Sequence, residues 1–133
     1  MIGLDTNVLV RYITQDDPKQ AAAASIAIES AAERGETLLV QPIVLCELVW
    51  VLHRAYGFRK ADILPVLERV LRTVQFEVAD KDTVSAGVDD YRRGRADFAD
   101  CYVGRANAGA GAERTLTFDR GLAGNPRFVL LQC

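Results

Sequence analysis

The sequence predicts an α/β fold built on a mainly parallel sheet covered by helices on both faces. Two observations predict it. Short apolar segments alternate with longer helical ones along the whole chain, and helix start and stop residues punctuate the alternation. Parallel strands need helical crossovers, which cover both faces of such a sheet. No linker, repeat or low-complexity tract interrupts the pattern, and 133 residues suit a single domain, 1–133.

The elements follow in order. IGLD, residues 2–5, reads as a short buried strand, and NVLVRYI as the helical turn after it. DPKQAAAASIAIESAAERG is a helix with Asp16 or Asp17 as N-cap, Pro18 at its first position and Gly35 as its stop. TLLVQ is the second strand. The next helix starts at Pro42 and ends at Gly57. RKADILPVLERVLRT has helical periodicity, but Pro65 is expected to kink it or move its start. FEVA is the third strand, and DKDTVSAGVDDYRRG an amphipathic helix capped by Asp80 or Asp82. DFADCYVGRANAGAG is the last helix, ended by its glycines, and RTLTF and FVLLQC are the fourth and fifth strands.

Composition narrows the function classes. Half of the residues are hydrophobic, which supplies a core. A net charge of −2 excludes a strongly basic nucleic-acid binder but allows local basic patches beside an acidic centre. Three widely spaced cysteines, Cys46, Cys101 and Cys133, contain no C-x-x-C, so neither structural zinc nor a disulfide framework is expected. Cys46 and Cys101 are expected to be buried thiols in a reducing, cytoplasmic compartment. The longest apolar run, PIVLCELVWVL, is too short to span a bilayer and contains Glu47. His53 is the sole histidine, which removes any nuclease chemistry based on a histidine pair.

The carboxylates carry the chemistry. In parallel α/β sheets, ligands bind beyond the carboxyl ends of strands, and Asp5 and Asp119 each follow a strand there. Each also has a plain structural use in a turn or cap. Glu47 lies in a helix apolar on nearly every side, near Ile43, Trp50 and Val51, so it is expected to be partly buried. A buried carboxylate needs a cation, a partner such as Arg54, or a raised pKa. Asp97 and Asp100 share one helix face, where Asp97 suits the N-cap and Asp100 the first turn. Acids gathered in one cleft repel, and a divalent cation relieves the repulsion. An all-oxygen donor set suits Mg²⁺ or Mn²⁺ rather than zinc.

LDTNVLVRY, CELVWVL, DFADCYVGRA and LTFDRGL, in that order, resemble a PIN domain, and most nearly the VapC ribonuclease toxins of toxin–antitoxin pairs. The resemblance covers essentially the whole chain. It implies a three-layer α/β/α sandwich with a central, mainly parallel sheet, an Mg²⁺- or Mn²⁺-dependent ribonuclease, a homodimer and a cognate antitoxin. Matched by motif, Asp5, Glu47, Asp100 and Asp119 are the four catalytic acids, and Asp97 is an additional acid before the third. All five are metal-ligand candidates. Thr6, Asn7 and Thr117 match polar positions that hold water or fix carboxylates. The implied reaction is attack of metal-activated water on RNA phosphorus, leaving a 5′-phosphate and a 3′-hydroxyl.

Arg11, Arg92, Arg93, Arg95 and Arg120 lie near the acids and suit RNA phosphates, antitoxin or plain solvation. Leu45, Leu48, Trp50, Leu52, Leu64 and Leu67 suit the core, for most of them, or an antitoxin groove. Two rivals remain. LDTNV resembles the first motif of haloacid-dehalogenase phosphatases, with Asp5 as nucleophile but Asn7 where a second acid belongs. The other rival is a non-catalytic RNA- or protein-binding PIN module.

Overall fold

The computed structural model describes all 133 residues and contains five strands, six α-helices and one 3₁₀ turn. Every strand pairing is parallel, as the alternation requires. Two compact units divide the chain, residues 1–80 and 81–133.

The first unit holds β1 (Ile2–Gly3), β2 (Leu38–Val40) and β3 (Phe76–Val78), in the order β1-β2-β3. Leu38 pairs with both Ile2 and Phe76, so β2 is central, and its Leu38 and Val40 are buried. The sequence predicts a buried β1, but the strand is exposed. It is two residues long and pairs on one side only, so its side chains lack a neighbouring strand on the other.

Four helices complete the unit: α1 (Thr6–Thr14), α2 (Pro18–Glu33), α3 (Pro42–Tyr56) and α4 (Lys60–Arg72). Asp17, rather than Asp16, caps α2, accepting from Gln20 N at 3.0 Å. Gly57, at φ 69°, closes α3 in the left-handed conformation that glycine adopts without strain. Pro65 neither moves nor breaks α4, which runs continuously from Lys60, where Asp62 accepts from the Arg59 amide at 2.9 Å. Leu45, Leu48, Leu52 and Leu67 are core residues. Trp50 is not: it is 59 % exposed, with the Arg54 guanidinium 5.4 Å from its ring centre.

Asp16 is used in a polar clasp. Arg11 donates to Asp16, Tyr56 and Gln20 at 3.1, 2.9 and 2.7 Å, and the Tyr56 hydroxyl donates to Asp16 at 2.5 Å. The clasp joins α1, α2 and the end of α3. The Tyr56 hydrogen bond, with help from Thr14 and Arg11, holds the Asp16 carboxyl at about 2. A depressed folded-state pKa contributes stability above the ordinary carboxylate range and loses it as pH falls toward the folded value. Tyr56→Phe is therefore expected to be less stable than wild type at pH 7, with the gap closing between about pH 4 and pH 2. Urea unfolding at several pH values measures this; a gap independent of pH would contradict it.

The second unit holds α5 (Lys81–Arg93), α6 (Phe98–Gly109), β4 (Thr115–Thr117) and β5 (Phe128–Leu130), with the 3₁₀ turn Arg120–Leu122 after β4. Its core includes Val84, Val88, Tyr91, Phe98 and Cys101. The Tyr91 and Phe98 rings meet edge-on at 6.1 Å. Gly104 of α6 lies under the Phe128 ring, where a Cβ would stand 2.4 Å from a ring carbon. The glycines of AGAG end α6 and turn the chain, Gly111 at φ 101°. None of the cysteines forms a disulfide; Cys101 is buried, but Cys46 is only partly so.

Candidate active site

Parallel pairing of β1 with β2 brings their carboxyl ends to one sheet edge, where α1 and α3 begin. Asp5 is the N-cap of α1, and its Oδ1 accepts from Thr6 N at 2.7 Å. Thr6 is 7 % exposed, and its Oγ1 donates to Glu47 Oε1 at 2.9 Å. Thus Thr6 bonds to one acid through its amide and to the other through its hydroxyl. Asn7 is exposed beside them.

Glu47 departs from the sequence expectation: it is exposed, not partly buried. α3 buries Val44, Leu45, Leu48, Val49 and Leu52, while Ile43 and Trp50 share the open side with Glu47. The apolar composition of that helix therefore overstates the burial of this face. Arg54 lies over Trp50, and the partner of Glu47 is the Thr6 hydroxyl. Thr6→Val removes that hydroxyl while keeping the shape. It is expected to cost about 1 kcal/mol of stability and about tenfold in activity, with Thr6→Ser restoring both. Full activity in Thr6→Val, by rate assay alongside urea unfolding, would contradict a role in holding Glu47.

In the second unit Asp97 occupies the N-cap position of α6 and Asp100 its first turn. Asp97 makes no side-chain capping bond, so capping does not explain it. Asp119 does cap: its Oδ1 accepts from Gly121 N at 2.8 Å, and its own amide donates to Thr117 Oγ1 at 3.0 Å. Thr117 therefore fixes the backbone that carries Asp119. A Cβ on Gly121 would stand 3.5 Å from the Ala96 backbone, so the turn after β4 adjoins the start of α6. The carboxyls of Asp100 and Asp119 come within hydrogen-bonding reach. Burial first, then the negative charges of Asp119 and Asp97, push the Asp100 carboxyl above its usual range.

No three His, Cys, Asp or Glu side chains converge tightly enough to hold a metal ion as they stand. The donor set nevertheless fits a hard cation. Its candidate ligands are all carboxylates, and Asp100 and Asp119 meet in a repulsion that a cation would relieve.

The arginines divide. Arg11 is engaged in its clasp, and Arg92 pairs with Asp89 at 2.8 Å. Arg93, Arg95 and Arg120 line a cleft of about 610 Å³ within the second unit. Arg105 and Arg127 line it too, and sequence reasoning missed both. Arg105 reads as one polar residue of a helix, and nothing in the sequence pairs it with Asp90, fifteen residues earlier. His53, at the end of α3, is exposed, with Nδ1 3.0 Å from the Phe58 carbonyl oxygen, and plays no part in either acid group.

Comparison with known proteins shows the family. The PIN domain family profile matches residues 2–126, which spans both units. The chain belongs to the PIN domain family. It is also 27 % identical over 117 residues to a VapC ribonuclease of Aquifex aeolicus (strain VF5), covering 88 % of this chain and 86 % of that protein. A PIN domain leaves no support for the phosphatase reading of LDTNV. The acids of this PIN chain lie at the carboxyl ends of β1 and β4, in the second turn of α3 and at the start of α6.

Proposed function

We propose that this chain is a metal-dependent endoribonuclease, the toxin of a toxin–antitoxin pair, acting in the cytoplasm as one functional domain. The observation that carries the reading is the pair of acid groups, Asp5 with Glu47 through Thr6, and Asp100 with Asp119, on a PIN domain similar to a VapC ribonuclease. Asp5 and Asp100 are the main ligands for Mg²⁺ or Mn²⁺. Glu47 and Asp119 ligate or position water, and Asp97 adds negative charge. Such a cation supplies Lewis acidity toward a phosphodiester and makes water nucleophilic at neutral pH.

The chain's own residues do the rest. Thr6 holds Glu47 in place, and Asp5 is oriented by the first amide of α1. Thr117 and the Gly121 amide fix Asp119. The partners are an RNA substrate, a cognate antitoxin and a second copy of the chain in a homodimer. No helix is long and apolar enough to cross a membrane.

End-group analysis of cleaved RNA tests the route. Attack by water with the 3′ oxygen leaving gives 5′-phosphate and 3′-hydroxyl ends. A 2′,3′-cyclic phosphate would mean attack by the RNA's own 2′-hydroxyl and would overturn the mechanism.

A further inference from the structure

We propose that the arginine-lined cleft of the second unit seats the phosphodiester backbone of single-stranded RNA without reading its bases. This rests on the ribonuclease reading above and adds to it a substrate-holding surface. The cleft, about 610 Å³, is lined by Arg93, Arg95, Arg105, Arg120 and Arg127 against one carboxylate, Asp90. The chain as a whole carries −2, so this concentration of cations runs against the global charge.

Only part of that positive charge is matched within the protein. Arg105 donates through Nε and Nη2 to the two Asp90 oxygens at 2.7 and 2.9 Å. Those bonds hold the guanidinium in place and leave Nη1 for another acceptor. Arg93, Arg95 and Arg120 are exposed, and no carboxylate is paired with them in the structure. A guanidinium fork matches phosphate oxygens bidentately.

The rest of the lining says what the ligand is not. It contains no aromatic side chain on which a base could stack, or that could anchor a peptide. Gly121, Ala123 and Gly124 keep one wall low, so a polymer backbone can approach closely. The cleft also adjoins acids of the same unit: Gly121 bonds Asp119, and Cys101, which follows Asp100, lines it. The Asp119 carboxylate, which accepts from the Gly121 amide, is thus one residue contact away from the cleft wall.

The test is fluorescence anisotropy of labelled oligouridine and oligocytidine with the full chain. EDTA stops cleavage, and the salt concentration is varied. Combining Arg93→Ala, Arg95→Ala and Arg120→Ala is expected to weaken binding about tenfold or more. It should flatten the salt dependence by about 2, since each single-strand phosphate contact contributes about 0.7. The loss should be equal for both sequences. Arg34→Ala with Arg72→Ala, exposed arginines of the first unit, should change neither quantity. Single Arg95→Ala and Arg120→Ala variants, each expected to flatten the slope by about 0.7, keep the test decisive if the triple variant does not fold.

Unchanged affinity and slope would overturn the proposal, as would a loss confined to one sequence. So would loss of binding to a polyglutamate peptide with RNA binding intact, which would assign the cleft to an acidic protein. If wild type cleaves RNA while the triple variant binds it undiminished, the cleft assignment fails and the ribonuclease reading stands. If wild type neither cleaves nor binds RNA, both fail.

Discussion

Asp100→Asn is expected to melt at a higher temperature than wild type in EDTA and to cleave RNA at least about a hundredfold more slowly. The stability half follows from the environment of the carboxyl. Burial, then Asp119 and Asp97, raise its folded-state pKa. A raised carboxyl pKa costs the fold nothing below the ordinary value near 3.9. The cost grows as pH rises through the elevated folded value and persists at neutral pH. Asparagine keeps the shape and removes the charge. The gain should be small, about 2 °C, because the group is partly solvated.

The activity half follows from the proposed ligand role, since even outer-shell partners of a metal are worth 10- to 100-fold. Mn²⁺ should raise the wild-type melting temperature and leave that of Asp100→Asn almost unmoved. A variant less stable than wild type in EDTA, with full cleavage, would contradict both halves.

Phe98→Ala carries the largest expected loss of stability, about 3–5 kcal/mol. Phe98 is fully buried, begins α6 and meets Tyr91 of α5 edge-on. Truncation removes its apolar area from the core and leaves a cavity against Tyr91, and α5 with α6 is the main helix pair of that unit. A loss this large is a sizeable part of the 5–15 kcal/mol typical of a domain, so the variant should melt well below wild type. Urea unfolding measures it. A loss below about 1 kcal/mol would mean that α6 is not anchored through this ring. The milder substitution Phe98→Leu should lose less, because much of the apolar volume remains.

Much of the fold was legible because its signals are local. Pro18, Pro42, Gly57 and the acids at the helix starts act through the backbone near them, and the elements begin and end close to where they indicate. Burial was less legible because it depends on neighbours distant in sequence. Glu47 was misjudged because helix composition does not say which face is covered, and β1 because a two-residue edge strand lacks a second neighbour. Pro65 does not move the start of α4, which holds it within its length.

Asp5, Asp97, Asp100 and Asp119 stand out by their positions at strand ends and a helix start, and Glu47 by the apolar helix around it. Their supports were harder to see. Thr6 and Thr117 were expected to fix carboxylates, but their partners, Glu47 and the Asp119 amide, needed the fold. The Asp90–Arg105 pair joins α5 and α6, and no periodicity reports it.

The central claim is metal-dependent RNA cleavage by the acids. Its most direct test incubates wild type and Asp5→Asn with a panel of structured RNAs in Mn²⁺ and in EDTA, following cleavage under single-turnover conditions. Wild type is expected to cleave in Mn²⁺ alone, and EDTA and Asp5→Asn are each expected to abolish cleavage. Cleavage that survives EDTA, or survives Asp5→Asn in Mn²⁺, would contradict it.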